Sequence, residues 1–311
     1  VSGNKVQVIG NKNAKQVVEE ILNEKTENFQ AKTNFSLEPV FNKQEYLLKL
    51  NQIKAHIQRG DCYEINFCQQ FIAHNAGIDA IATFHKLNSV SPNPFASLYK
   101  LNKKYCIAAS PERFLKKTGN QLISQPIKGT AKRNAQNCVL DNQNKTALSD
   151  SQKERSENVM VVDLVRNDLS RVCKAGSVTV KELCGIYAFP QVFQMISTIQ
   201  GELPADIHWA DAIKVCFPMG SMTGAPKKRV MELIDQYEEI GRGLFSGSIG
   251  YITPQSNFDF NVVIRSIFYD EENQKLSYAA GGGITFNSIA ENEYEESLLK
   301  AAAIKQVLED Q

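Results

Sequence analysis

Between positions 95 and 125 the sequence contains four successive short segments. In each of them apolar and polar residues alternate, as they do in strands. The segments cover residues 95–99, 105–109, 113–115 and 122–124. These segments arrive as hairpins, and the predicted helices fall between groups of strands. The order therefore favours an α+β fold over the regular strand–helix alternation of a Rossmann-type fold.

The remaining elements are predicted from apolar spacing and from capping residues. A helix over residues 43–59 has apolar side chains at helical spacing and ends at Gly60. Further helices are predicted after Asp150 as far as 171, from Asp206 to 217, after Thr223 and over 290–309. Further strands are predicted over 63–74, 178–183, 192–200, 248–253, 261–269 and 275–280. Residues 1–40 are predicted as a hairpin, a helix over 14–23 and a polar tether, followed by a domain of residues 41–311.

The composition is that of a soluble globular protein with reduced thiols. Of the 311 residues, 42% are hydrophobic and 22% are charged, and a formal net charge of +1 supplies no field that would draw the chain to nucleic acid or to a membrane. No apolar run approaches the roughly 18 residues of a membrane span, and no signal peptide is visible. Seven cysteines are dispersed without CxxC pairs, which favours a cytoplasmic location. Because the chain starts at Val1, we expect it to be a fragment whose first 40 residues are the remnant of an N-terminal region.

A lysine directly before a Gly-Thr pair ends the last of the four predicted strands, in the run Pro-Ile-Lys-Gly-Thr at 126–130. Glycine lets the backbone approach a ligand, and the threonine adds a hydroxyl and an amide donor. Lys128 is then placed to bind an anion or to attack carbon. Taken alone, the segment is more typical of a solvated lysine in a turn.

Two pairs of glutamates share the same spacing on two predicted helices. Glu154 and Glu157 stand at i and i+3, as do Glu293 and Glu296, with Lys300 one turn further on. Each pair is typical of a solvated helix face, and Glu296 with Lys300 is typical of a surface salt bridge. If the pairs face each other across a cleft, four carboxylates without His or Cys suit a hard cation such as Mg²⁺ and not zinc.

From about Asn42 to its end, the chain resembles the chorismate-utilising enzymes, and within them the aminodeoxychorismate synthase group. The matching blocks follow the order of the family and lie at residues 60–66, 110–114, 126–130, 154–158, 161–168, 220–227, 247–251, 264–265, 280–283 and 293–300. The resemblance implies two large, mostly antiparallel sheets stacked face to face with helices outside, a four-layer α/β/β/α arrangement. The site would lie in the cleft between the sheets.

The resemblance also implies roles for individual residues. Glu157 and Glu296 would ligate Mg²⁺, with Glu154 and Glu293 beside them as catalytic residues, and the ring carboxylate of chorismate would be a further metal ligand. Arg265 would bind the carboxylate of the enolpyruvyl arm through its planar fork. The other substrate-binding residues implied by the family pattern are Gly129, Thr130, Ser221, Phe245, Gly282, Gly283 and Lys300.

Lys128 implies the amination of chorismate, because anthranilate synthases usually carry alanine at this position. In the aminodeoxychorismate synthase group the lysine attacks the ring, and ammonia from a separate glutamine amidotransferase then displaces it. The attacking amine must be neutral, so we expect burial or a nearby cation to lower its pKa. Three positions depart from the family: Glu64 replaces the usual glutamine, or the lysine of isochorismate synthases, Gln194 replaces a common histidine, and Phe245 replaces a Tyr or Trp. Anthranilate synthase component I and a non-catalytic chorismate-binding relative remain alternatives.

Overall fold

The structure, a computed structural model, describes residues 12–24, 35–134 and 136–309. The chain divides into two compact units, residues 1–31 and 32–311. In the first unit, helix α1 (Ala14–Asn23) has the predicted bounds, and the side chain of Asn13 caps it by accepting from the backbone N–H of Lys15. The predicted N-terminal hairpin lies outside the described residues.

The second unit alternates groups of hairpins with helices. Its first half contains β1 (Glu38–Pro39), α2 (Lys43–Gln58), β2 (Glu64–Ala73), α3 (Ala80–Val90), β3 (Phe95–Leu101), β4 (Lys104–Ser110), β5 (Arg113–Thr118), β6 (Gln121–Gln125), β7 (Ile127–Lys132), α4 (Cys138–Asp150) and α5 (Gln152–Ser170). Its second half contains β8 (Thr179–Ala188), β9 (Val192–Glu202), α6 (Trp209–Cys216), α7 (Gly220–Thr223), β10 (Gly224–Ala225), α8 (Lys227–Tyr237), β11 (Gly250–Ile252), β12 (Phe258–Asn261), β13 (Ser266–Asp270), β14 (Lys275–Ile284) and α9 (Ala290–Glu309).

The strands form two sheets of seven, and every strand pairing described is antiparallel. The first sheet has the order β1-β2-β14-β13-β4-β3, with β10 also on β2; the second has the order β11-β12-β5-β6-β9-β7, with β8 also on β9. A core cluster joins the sheets, since Cys68 and Ala279 of the first pack with Phe114 and Ile199 of the second. The predicted α+β class with two stacked sheets is confirmed.

Helices cover the two sheets. On the first sheet, Ala301 and Ile304 of α9 are buried against the strands, and α2 and α8 form a second cluster with β2. On the second sheet, α5 contributes Val162 and Leu169 to the core. Helices α5 and α9 carry the two pairs of glutamates.

Several predicted boundaries are wrong because neighbouring residues compete as caps. Asp150 is the last residue of α4, and Ser151 caps α5 by accepting from the backbone N–H of Glu154. Helix α6 is capped by His208 and not by Asp206. Thr223 ends α7 instead of capping α8, which starts after Pro226. Helices α3 and α4 were not predicted.

The predicted strand over 261–269 is two strands that belong to different sheets. Strand β12 pairs with β5 in the second sheet, and β13 pairs with β4 in the first. Residues 262–265 carry the chain from one sheet to the other, and Arg265 at the end of this link has a left-handed backbone with φ of 50°. A second crossing, between β4 and β5, lies alongside: the backbone N–H of Val262 donates to the carbonyl of Glu112 at 3.0 Å.

The seven cysteines all lie within the described residues and form no disulfide; six are buried and Cys138 is exposed. Among the described residues, no helix has the length and apolar character needed to cross a membrane.

Candidate active site

A β-bulge places Lys128 at the start of β7. The register between β7 and β9 shifts between Ile127 and Thr130, and such a shift re-aims the side chains within it. Gly129 inside the bulge has φ of 92°, a conformation that disfavours other residues. A Cβ at Gly129 would also lie 3.0 Å from Oε2 of Glu154 and 3.1 Å from Leu148. The glycine therefore allows β7 to approach α5.

Lys128 forms an ion pair with Glu64 that joins the two sheets. The ammonium of Lys128, on β7, lies 2.5 Å from Oε1 of Glu64 on β2, and both side chains are nearly excluded from solvent. Gly283 of β14 lies against the pair: a Cβ there would overlap Oε1 of Glu64 and lie 2.8 Å from Nζ of Lys128. The second carboxylate oxygen of Glu64 is buried and has no hydrogen-bond partner among the described residues.

The pKa of Lys128 is raised above its ordinary value, contrary to the expectation from the sequence. Burial alone lowers the pKa of this ammonium, because it disfavours the charged form. The carboxylates of Glu64, Glu157 and Glu112 outweigh burial and raise it. Lys128 is therefore a protonated cation in this structure, and a nucleophilic role requires that it lose a proton.

Glu112 is a buried acid next to this pair. It lies between β4 and β5, is 5% exposed, and its Oε1 accepts a hydrogen bond from Oγ of Ser221 at 2.6 Å. Burial raises the pKa of Glu112 to about 7, although Ser221, Lys128 and Arg265 each lower it. A carboxyl group with this pKa can give or take a proton near neutral pH.

Arg265 is partly buried, and its guanidinium forms no ion pair with any acid among the described residues. Burial lowers the pKa of Arg265, and the negative charge of Glu112 partly offsets that effect. By contrast, the nearby Arg113 is held by both oxygens of Asp259, at 2.8 and 2.9 Å. The planar fork of Arg265 therefore remains free to bind a carboxylate.

The two glutamate pairs face each other across α5 and α9, with a lysine between them. Nζ of Lys153 lies 3.9 Å from Oε1 of Glu157 and 3.7 Å from Oε1 of Glu293. Oε1 of Glu157 is buried without a hydrogen-bond partner among the described residues, and burial raises the pKa of Glu157 to about 7. Burial likewise raises the pKa of Glu154, to which the charge of Glu296 adds. Within the described residues, no three acidic, His or Cys side chains converge as a preformed metal site.

Lys300 lies beside the glycine run of β14. Its ammonium contacts Oε1 of Glu296 at 2.9 Å and donates to the carbonyl of Gly281 at 3.2 Å. A Cβ at Gly282 would lie 3.3 Å from Nζ of Lys300 and 3.5 Å from Oε2 of Glu293. The glycines thus keep the backbone of β14 close to the charged groups of α9.

Comparison with known proteins identifies the family. The profile of the chorismate binding enzyme family matches residues 4–306. The chain belongs to this chorismate-binding enzyme family. "Aminodeoxychorismate synthase component 1" of Klebsiella aerogenes is 40% identical over 268 residues, which cover 86% of this chain and 58% of that protein. The protein of the same name from Escherichia coli (strain K12) is 39% identical over 267 residues, with the same shares of 86% and 58%.

Among solved structures, anthranilate synthase component I from Streptococcus pneumoniae TIGR4 resembles this chain with a TM-score of 0.82. The two chains are 28% identical, and the match covers 94% of this chain and 64% of the other. The chain therefore spans less than two thirds of the length of each of these relatives.

Most of the residues singled out from the sequence lie together in the fold. Lys128, Gly129, Glu154, Glu157, Ser221, Arg265, Gly282, Gly283, Glu293, Glu296 and Lys300 are linked by the contacts and charges described above. Phe245 instead lies in the core between the sheets, where its ring faces the guanidinium of Arg242. Thr130 pairs in register with Gln194, whose Oε1 is buried without a partner among the described residues.

Three residues of the site had no role assigned from the sequence. Glu64 was noted only as a departure from the family, Glu112 only as part of a matching block, and Lys153 was not considered. The apolar strand that follows Glu64 was a signal that this carboxylate is buried, since a charge in such a setting needs a partner. For Glu112 and Lys153 the sequence holds no comparable signal, because their partners come from distant segments.

Proposed function

We propose that the protein aminates chorismate at C4 to give 4-amino-4-deoxychorismate, in a Mg²⁺-dependent reaction that uses ammonia from a glutamine amidotransferase partner. The observation that carries the proposal is Lys128, a buried amine on a glycine bulge, flanked by a free guanidinium and by two facing glutamate pairs. The names of the relatives support the activity and the existence of a partner component.

Binding of chorismate draws on Arg265 and on the glycines of β14. Arg265 takes the carboxylate of the enolpyruvyl arm through two parallel hydrogen bonds. Gly282 and Gly283 leave room for the ring next to Lys128 and Lys300, because neither carries a side chain. The hydroxyl of Ser221 is held by Glu112, which brings that acid to the same part of the site.

The chemistry of the glutamates fits a hard divalent cation. Glu157 and Glu296 would hold Mg²⁺, with Glu154 and Glu293 beside them, and the buried, unpartnered Oε1 of Glu157 is suited to such a role. The bound ion would supply a positive charge for the ring carboxylate and would offset the negative charge of the glutamates near Lys128.

Glu296→Gln keeps the shape of the side chain and removes one charge, so we expect it to weaken Mg²⁺ binding in a calorimetric titration.

The residues of the chain account for the proton transfers of a covalent route. Lys128 passes its proton to Glu64, the acceptor 2.5 Å away, and the neutral amine attacks C2 of the ring. The two ring double bonds shift, and the C4 hydroxyl leaves as water with a proton from Glu112. Ammonia then attacks C4, the double bonds shift back, and Lys128 leaves as the neutral amine, which takes its proton back from Glu64. Glu112 takes the proton that the incoming ammonia releases, so the acid is restored.

Anthranilate synthesis is the second candidate, because the matched solved structure is an anthranilate synthase component I. That reaction starts from the same substrate and needs no lysine nucleophile. The presence of Lys128, in direct contact with Glu64, favours the first candidate.

A product assay tests the proposal. The protein is incubated with chorismate, ammonium and Mg²⁺, and the products are separated by chromatography. We expect aminodeoxychorismate. Anthranilate as the main product would replace the proposal with the second candidate, and recovery of unchanged chorismate that nevertheless binds in calorimetry would indicate a non-catalytic relative. Replacing ammonium by glutamine with an added amidotransferase subunit tests the partner.

A further inference from the structure

Lys153 occupies a central position between the glutamates of α5 and α9. It lies in the first turn of α5, and its contact with Glu293 is the one ion pair between these two helices in the part of the chain that the structure describes. The two carboxylate oxygens nearest to its ammonium are at 3.7 and 3.9 Å. Directly hydrogen-bonded ion pairs are shorter, at about 2.7–2.9 Å, so the ammonium is shared between two carboxylates and not committed to one.

All four glutamates act on this one charge. Burial lowers the pKa of Lys153, but the carboxylates of Glu157, Glu293, Glu296 and Glu154 together raise it. Without a cation, two glutamate pairs on facing helices would repel one another. The ammonium therefore offsets repulsion that would otherwise push α5 and α9 apart.

The side chain of Lys153 is also able to leave. It is 49% exposed, so its head can turn to solvent without unpacking the core. A Mg²⁺ ion held by Glu157 would bind the same carboxylate that the ammonium contacts. An ammonium that shares those oxygens would then face a double positive charge at short range.

We infer that Lys153 is a tethered cation that holds the two glutamate pairs together in the metal-free protein, and that divalent metal binding displaces its ammonium into solvent. The inference rests on the metal site of the proposed function. In this inference the ammonium of Lys153 competes with the metal ion for the same carboxylates. Metal affinity is thereby reduced, and the metal-free site is kept assembled.

The test is Lys153→Met, which keeps the length of the stem and removes the charge. Binding of Mg²⁺ is measured by calorimetry, binding of Mn²⁺ by electron paramagnetic resonance, and the melting temperature is measured with and without metal. We expect divalent affinity to rise about tenfold, because a competing positive charge is gone. We also expect the metal-free variant to melt at a lower temperature than the parent, with the difference removed by saturating Mg²⁺.

Lys174→Met is the matched control, because Lys174 is 50% exposed and paired with an exposed glutamate, Glu202, in a different part of the fold. It should leave metal affinity unchanged. Unchanged or weaker metal binding by Lys153→Met would overturn the displacement.

Glu157→Gln separates this failure from a failure of the metal site itself. If Glu157→Gln weakens metal binding and Lys153→Met does not strengthen it, the site stands and the role of Lys153 is refuted. If neither variant changes the affinity, the metal is not held at these glutamates, and both the assignment and the inference fall.

Discussion

The ammonium of Lys128 lies 2.5 Å from Oε1 of Glu64, and the two side chains are only 12% and 3% exposed. The pair joins the two sheets at the centre of the site. A lysine held in this way is charged, so its proton must move before the amine can attack carbon. The nearest acceptor is the glutamate that stabilises the charge.

Lys128→Ala should abolish or sharply reduce the formation of aminodeoxychorismate. The carboxylate-binding and metal-binding groups stay in place, so chorismate should still bind in calorimetry, and traces of anthranilate are expected from direct attack of ammonia at C2. Removing the lysine leaves Glu64 buried without its partner, which is itself costly. The double variant Lys128→Met/Glu64→Gln removes both charges and controls for this effect. Full product formation by Lys128→Ala would refute the covalent route.

Glu64→Gln should move the acidic limb of the pH–rate profile to lower pH. The carboxylate raises the pKa of Lys128, and an opposite charge this close typically shifts a pKa by about 1–3 units. Without it, the amine is neutral at lower pH, while the maximal rate falls because the proton acceptor is lost. Glu202→Gln, at an exposed ion pair, is the control. An acidic limb that stays in place would show that Lys128 does not titrate in the rate-determining steps.

Arg265→Lys should raise the Michaelis constant for chorismate. Lysine keeps the charge and loses the planar fork, and losing one charge-assisted hydrogen bond costs about 1.5–3 kcal/mol. Arg113→Lys is the matched control, because the guanidinium of Arg113 is already bound to both carboxylate oxygens of Asp259. The control should lower the melting temperature and leave the Michaelis constant unchanged. Equal Michaelis constants for Arg265→Lys and the parent would make Arg265 a structural residue.

Glu112→Gln should become progressively more stable than the parent as pH rises from 5 to 8. Burial raises the pKa of Glu112 from 4.5 to about 7. The stability that this group contributes is therefore full below its unfolded pKa and is lost as pH rises through about 7. Each pKa unit is worth about 1.4 kcal/mol, so the difference should grow by roughly 2–3 kcal/mol. Glutamine still accepts the hydrogen bond of Ser221. Parallel melting curves across this range would show that Glu112 is ionised throughout.

Gly283→Ala should be much more damaging than Gly282→Ala. A methyl group at Gly283 overlaps the carboxylate of Glu64 and lies 2.8 Å from the amine of Lys128, whereas at Gly282 the nearest atom is 3.3 Å away, at the flexible end of Lys300. We expect a large loss of amination rate for the first variant and a small one for the second. Equal rates for the two variants would show that the ion pair tolerates displacement.

Elements governed by local spacing were predicted well. Helix α1, helix α9 and the ends of α2 match the prediction because apolar spacing and caps are local signals. The crossing at 262–265 was missed because the apolar run continues through it and only the pairing partners change. The break at Ser151 was missed because Asp150 is an equally good cap by residue type.

The direction of the pKa shift of Lys128 was wrong for a related reason. Burial lowers the pKa of an isolated amine, and that much follows from the sequence. The opposing charge comes from Glu64, 64 positions away in the chain, and pairing at that distance depends on how the two sheets stack. Glu293 and Glu296 were recognisable as a pair, whereas the ammonium of Lys153 between the helices required the folded chain.

The bulge in β7 has a consequence for how such a scaffold can diverge. Its geometry depends on the left-handed Gly129 and on the pairing of Thr130 to Lys132 with β9, and not on the side chain at position 128. A single codon change at 128 can therefore add or remove the amine while the backbone around it stays the same. The residue at 64, on the other sheet, is buried against it, so a change at one of the two positions leaves the other charge unpaired until that position changes as well. Two positions far apart in the gene can thus tune one reactive group, and an ancestral active site can acquire a new product without rebuilding its fold.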